Sequence, residues 1–98
     1  MSLALLFHPS VRSEIDEAYG WYESQRIGRG EDFLRSVRQA LDRIQDFPEM
    51  HPIVYRDVRR VLVRRFPYGI YFTVGTNHIS IVAVYHGKRD PTGWKSRL

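Results

Sequence analysis

The chain has 98 residues, fifteen Lys and Arg against eleven Asp and Glu, a net charge of +4 and no cysteine. That length corresponds to one domain, 1–98, burying roughly 60–65% of its unfolded surface, and the absent cysteine excludes a disulfide framework, a thiolate metal site and a cysteine nucleophile. Between Arg56 and Arg97 the only acids are Asp57 and Asp90, an asymmetry that suits an acidic protein or a nucleic acid as partner.

Leu3–Phe7 is a brief apolar run, read as a strand added to the main sheet. It is too short for a signal or membrane segment and has no basic residues before it, which fits a cytoplasmic protein without a membrane partner. His8-Pro9-Ser10 ends it, with Ser10 as a candidate N-cap. Glu14 and Asp16 follow and favour the positive end of a helix dipole. Val11, Ile15, Ala18, Tyr19 and Tyr22 then fall on one helical stripe, with Trp21 well off it. The helix is expected to end near Arg26, with Gly28 as its stop.

Glu31 and Asp32 open a second helix, whose predicted buried face is Phe33, Leu34, Val37, Ala40, Leu41 and Ile44. The short Gly-containing connection makes the two helices an antiparallel hairpin. Pro48 stops the second helix, and Glu49–Asp57, with Pro52, is expected to be a loop.

Val58–Asp90 reads as three consecutive antiparallel strands: Val58–Phe66, Ile70–Val74 and Ile79–His86, with a turn at Pro67-Tyr68-Gly69 and a hairpin at Gly75-Thr76-Asn77. Strict alternation puts Arg60 and Arg64 on one face of the first strand and Arg59 and Arg65 on the other. Whichever face meets the core, two arginines point away from it. The later strands are apolar on both faces, with Ile79, Ile81, Ala83 and Tyr85 opposing Ser80, Val82, Val84 and His86. Either helices cover both faces, or one face is kept for a partner. Two helices cover one face of a small sheet, so the second reading is preferred. The predicted class is α+β, a helical hairpin on one face of a mainly antiparallel sheet in the order β-α-α-β-β-β, followed by a short basic tail, Pro91–Leu98, containing Trp94.

The ordered set VRRVLVRRFPYGIYF, a short hairpin, ISIVAVYH, and KRDP followed by Trp94 resembles the toxin half of ParE/RelE-type toxin–antitoxin modules. The segments Arg65-Phe66-Pro67-Tyr68 and Tyr85–Pro91 carry the likeness most specifically, and they look more like the ParE branch and its plasmid-stabilisation relatives. The resemblance implies a toxin neutralised by a small cognate antitoxin, ParD-like or similar, in a hetero-oligomer. It implies one of two targets. ParE-like members poison DNA gyrase by binding, whereas RelE-like members enter the ribosome and cut mRNA.

In the nuclease reading, His86 would be the acid or base, and Arg60, Arg64 and Arg89 would hold the phosphate. The alternative for His86 is a hydrogen bond within a strand-end turn. No tyrosine, histidine or glutamate follows His86, which favours the binding toxin, with no catalytic residue. In that reading the partner-binding candidates are Arg59, Arg60, Arg64, Arg65, Trp21, Tyr85, His86, Lys88 and Arg89. The four histidines show no ligand spacing, so neither metal nor cofactor is expected.

Overall fold

A computed structural model describes residues 3–98. The elements are β1 (Ala4–Phe7), α1 (Ser10–Gln25), α2 (Arg29–Asp46), a 3-10 turn at Pro48–Met50, β2 (Ile53–Tyr55), β3 (Val58–Leu62), β4 (Tyr68–Val74), β5 (His78–His86) and α3 (Thr92–Lys95). The sheet order is β1-β5-β4-β3-β2, with β1 parallel to β5 and every other pair antiparallel. The helical hairpin covers one face, so the expected α+β architecture stands, with one strand more than the sequence reading gave.

The helices pack as their apolar spacing requires. Val11, Ala18 and Tyr22 of α1 and Phe33, Val37, Ala40 and Ile44 of α2 join Val61, Val63, Phe66, Ile70, Phe72, Ile79, Ile81 and Val84 of the sheet side in one buried cluster. Ser10 is the first helical residue and not the cap; its N–H donates to His8 Nδ1 at 3.1 Å. The hairpin turn rests on Gly28, whose φ of 90° suits a residue without Cβ. The Glu23 carboxylate accepts the N–H groups of Gly28 and Gly30 at 3.0 Å, capping the start of α2.

Three features depart from the strand reading. First, Ile53–Tyr55, expected within a loop, is an edge strand paired with β3; Pro52 stands just before it, where a missing N–H costs no ladder bond. Second, β3 stops at Leu62 and not at Phe66, because the chain reverses at Arg64-Arg65, where Arg65 takes a φ of 69°. Phe66 thereby swings into the helix-side cluster, 4.8 Å from the Tyr22 ring and 5.2 Å from Phe33. Third, β5 carries a bulge: Tyr71 opposes Ala83 while Phe72 opposes Ile81, leaving Val82 as the extra residue. Strict alternation therefore fails, and Val82, Ala83 and Tyr85 all join the cluster on the second face.

That second face is not left wholly open. The tail folds back, and Trp94, only 3% exposed, lies stacked on Tyr71 at 4.5 Å among Val58, Val82, Ala83 and Tyr85. Asp90 Oδ1 accepts the Thr92 N–H at 3.0 Å, starting the helical turn after Pro91 that swings Trp94 inward. The expectation of a bare second face is corrected accordingly: the chain roofs its centre and leaves the β3–β4 end uncovered.

Candidate partner-binding face

The tail is fixed by a buried ion pair. Arg97 meets Glu14 of α1 at 2.5 Å, with side chains 13% and 8% exposed. Beyond Phe7, β1 no longer accompanies β5. There Glu14 Oε1 accepts the Val84 N–H at 3.1 Å, and Arg97 donates to the Val82 carbonyl at 2.9 Å. The pair thus satisfies the backbone groups that the bulged strand would leave bare. Glu14 was expected only to favour a helix dipole. Its burial among Val11, Ala18 and Tyr22 is visible in the helical spacing, but its partner, 83 residues away, is not.

The arginines of the sequence reading separate. Arg59 turns to the helix side of the edge, donating to the carbonyls of Glu49 at 3.0 Å and His51 at 2.8 Å. It is occupied holding the loop before β2, on the opposite side of the sheet from Arg60. Arg64 and Arg65 are exposed in the β3–β4 turn and not on a strand face. Arg64 faces Arg43, whose guanidinium pKa is lowered by burial and then by the charge of Arg64.

Arg60 alone of the four lies on the second face, opposite Tyr71. Gly69 makes room for it: a Cβ there would come 3.1 Å from Arg60 Cδ. The stem lies flat over β4, and its Nε is buried without a hydrogen-bond partner among the described residues.

Tyr85 is buried, and its ring is covered by Arg89 at 4.5 Å and Arg97 at 5.6 Å. It lines the floor of the cleft described below. His86 accepts the Lys88 N–H on Nδ1 at 3.0 Å, while its carbonyl accepts the Arg89 N–H at 3.1 Å. The ring stands edge-on to Tyr68 at 5.2 Å. It thus closes the strand-end turn, the alternative entertained for it. The Tyr68 phenol pKa is raised by burial, against the lowering effect of Arg89. Trp21 is 60% exposed on the helical layer, edge-on to Tyr22, apart from the second face.

What converges instead is a bipartite groove. One part, a cleft of 240 Å³, brings together the predicted site residues Arg60, Tyr85, His86 and Arg89 with Trp94 and Lys95. The other, a groove of 470 Å³, runs past Leu62, Phe66, Pro67 and Gly69 under the rim of Arg64 and Arg65. Arg60, Tyr71 and Gly87 belong to both. Leu62 is 62% exposed, a large apolar side chain without cover. Lys95 was not among the site residues read from the sequence, and Trp94 enters as the packed wall of the cleft. The signal was present in Asp90-Pro91, a helix start that places Trp94 and Arg97 three residues apart on one side.

The comparisons agree with this architecture. No curated protein matches the chain. Among solved structures, it resembles the chromosomal ParDE TA system from P. aeruginosa at 18% identity and a TM-score of 0.63, covering 87% of this chain and 96% of that one; at that identity the likeness speaks for the fold. A family model described as the ParE toxin of the type II toxin-antitoxin system, parDE, matches residues 5–91, spanning the hairpin, the sheet and the turn into α3. The chain belongs to the ParE toxin family of type II toxin–antitoxin systems.

Proposed function

We propose that this chain is the toxin of a type II pair, that it acts by binding and not by catalysis, and that its target is DNA gyrase. The observation that carries the reading is the exposed groove between β3 and the tail, apolar at one end and basic at the other, in a chain of the ParE family. His86, Arg60 and Arg89 line one cleft and Arg64 rims the adjoining groove, but no tyrosine, histidine or glutamate follows His86 to serve as a second acid or base. His86 Nδ1 is also engaged by the Lys88 N–H. In the resting pair a cognate antitoxin covers this groove in a hetero-oligomer in the cytoplasm. Freed, the toxin traps gyrase on cleaved DNA and blocks replication.

The test is induced expression of this chain without an antitoxin, followed in parallel by chromosome-break and transcript-cleavage assays. The expected result is growth arrest with double-strand breaks and intact mRNA, and His86→Ala should arrest growth equally well. Arrest with cut mRNA and intact chromosomes would instead establish a RelE-like ribosome-dependent ribonuclease using His86, Arg60, Arg64 and Arg89. A harmless chain would mean a module that only pairs with its antitoxin.

A further inference from the structure

The basic end of the groove has features that the binding of an apolar segment does not require. Arg60, Arg89 and Lys95 line one cleft of 240 Å³, and among the described residues none of them forms an ion pair. Arg60 Nε is buried and has no hydrogen-bond partner among the described residues, an arrangement that costs free energy unless something completes it. Asp90, the acid nearest in sequence, is already engaged: its carboxyl is held below the ordinary range first by the hydrogen bonds from Thr92, with Lys95 adding a lesser pull. The cations are also restrained. Arg89 lies over the Tyr85 ring at 4.5 Å and Lys95 over the Tyr55 ring at 4.4 Å, so less side-chain freedom remains to be lost when an anion arrives.

We infer that this cleft receives the carboxylate of a single Asp or Glu from an extended peptide segment, whose neighbouring apolar side chain seats beside Leu62, Phe66 and Pro67. The inference rests on the binding-toxin reading and names the chemistry of the partner segment at that same face. Two observations favour a peptide over a nucleic acid. The aromatic rings at the cleft are not stacking platforms: Tyr71 is covered by Trp94 at 4.5 Å, and Tyr85 by Arg89 and Arg97, whereas single-stranded nucleic acids bind by stacking on open rings. The groove leading away is apolar at its floor, through Leu62, Val63, Phe66 and Pro67, with Arg64 and Arg65 only at its rim, a surface that suits an apolar side chain better than a phosphate backbone. A planar guanidinium with its stem fixed by Gly69 suits the two oxygens of a carboxylate.

The experiment is selection of a displayed library of random dodecapeptides on the purified chain, followed by affinity measurement for the selected peptide. The expected outcome is an enriched motif with one acid at a fixed position next to an apolar residue. Changing that acid to Gln should weaken binding at least about tenfold. Arg60→Met, which keeps the stem, should weaken the acidic peptide by a similar factor and bind the acidic and Gln peptides alike. Thermal melting of Arg60→Met should match the wild type, with Lys95→Met as a second variant showing a smaller loss in the same direction. Selected peptides lacking a common acid, or an acid whose effect persists undiminished in Arg60→Met, would overturn the inference. So would a single-stranded oligonucleotide that binds more tightly than the peptide and is lost in Arg60→Met. Growth arrest with chromosome breaks alongside a failed peptide cycle would remove this inference alone. A harmless chain with an intact cycle would remove the gyrase reading and leave the carboxylate site in place.

Discussion

The Glu14–Arg97 pair sets up a sharp stability test. Arg97→Ala removes three hydrogen bonds, two to Glu14 and one to the Val82 carbonyl, and leaves a carboxylate 8% exposed beside the apolar cluster. Breaking one side of a buried pair costs about 3–5 kcal/mol, because the surviving charge is stranded. A chain of this length is stable by roughly 5–15 kcal/mol, so the loss takes a large share. Urea unfolding, read by circular dichroism, should move to a markedly lower midpoint with an unchanged slope, and Tm should fall by at least ~12 °C, from about 4 °C per kcal/mol. The double variant Glu14→Met/Arg97→Met should lose less than the sum of its single changes. It leaves the Val84 N–H and the Val82 carbonyl without partners, at about 1–3 kcal/mol each, but strands no charge. A coupling energy of about 0.5–3 kcal/mol is expected between positions that share a network. If Arg97→Ala stays within ~0.5 kcal/mol of the wild type, the pair is an ordinary surface contact and the account of the anchored tail is wrong.

Other outcomes follow from the same geometry. Trp94→Ala should cost about 3 kcal/mol by emptying the stack on Tyr71, read by the same urea midpoint. Gly93→Ala would set a Cβ on the Tyr85 hydroxyl, among the tightest approaches in the fold, and should displace the tail and shift Trp94 emission to longer wavelength in a Trp21→Phe background. His86→Ala removes one turn hydrogen bond and should cost only about 0.5–1.5 kcal/mol. Because the folded-state pKa of Asp90 is depressed, its contribution is fully present above the ordinary aspartate value of 3.8 and is lost as pH falls from there through the lower folded-state value. Trp94 emission in the Trp21→Phe background should therefore shift on acidification below that value, and Asp90→Asn should abolish the part of the shift due to this cap.

The first strand, the helical hairpin and most of its buried face followed from residue types alone, whereas β2 and α3 did not. Val11, Ala18, Tyr22, Phe33, Val37, Ala40 and Ile44 recur at helical spacing, and burial depends on that spacing. The resemblance carried by FPY and HGKRDP reached the family by the same local route. What the sequence could not fix was the side to which each strand residue turns. A single extra residue at Val82 reverses the alternation beyond it, and the reversal at Arg64-Arg65 takes two arginines off the strand. Only the folded chain decided that Arg59 would hold a loop, that Arg60 would stand with an unpaired guanidinium nitrogen over β4, and that Glu14 would meet Arg97. These outcomes depend on contacts between residues far apart in the chain, as with the 83 positions between Glu14 and Arg97. Periodicity reports the environment a side chain needs, and it carries no information about which distant segment supplies it.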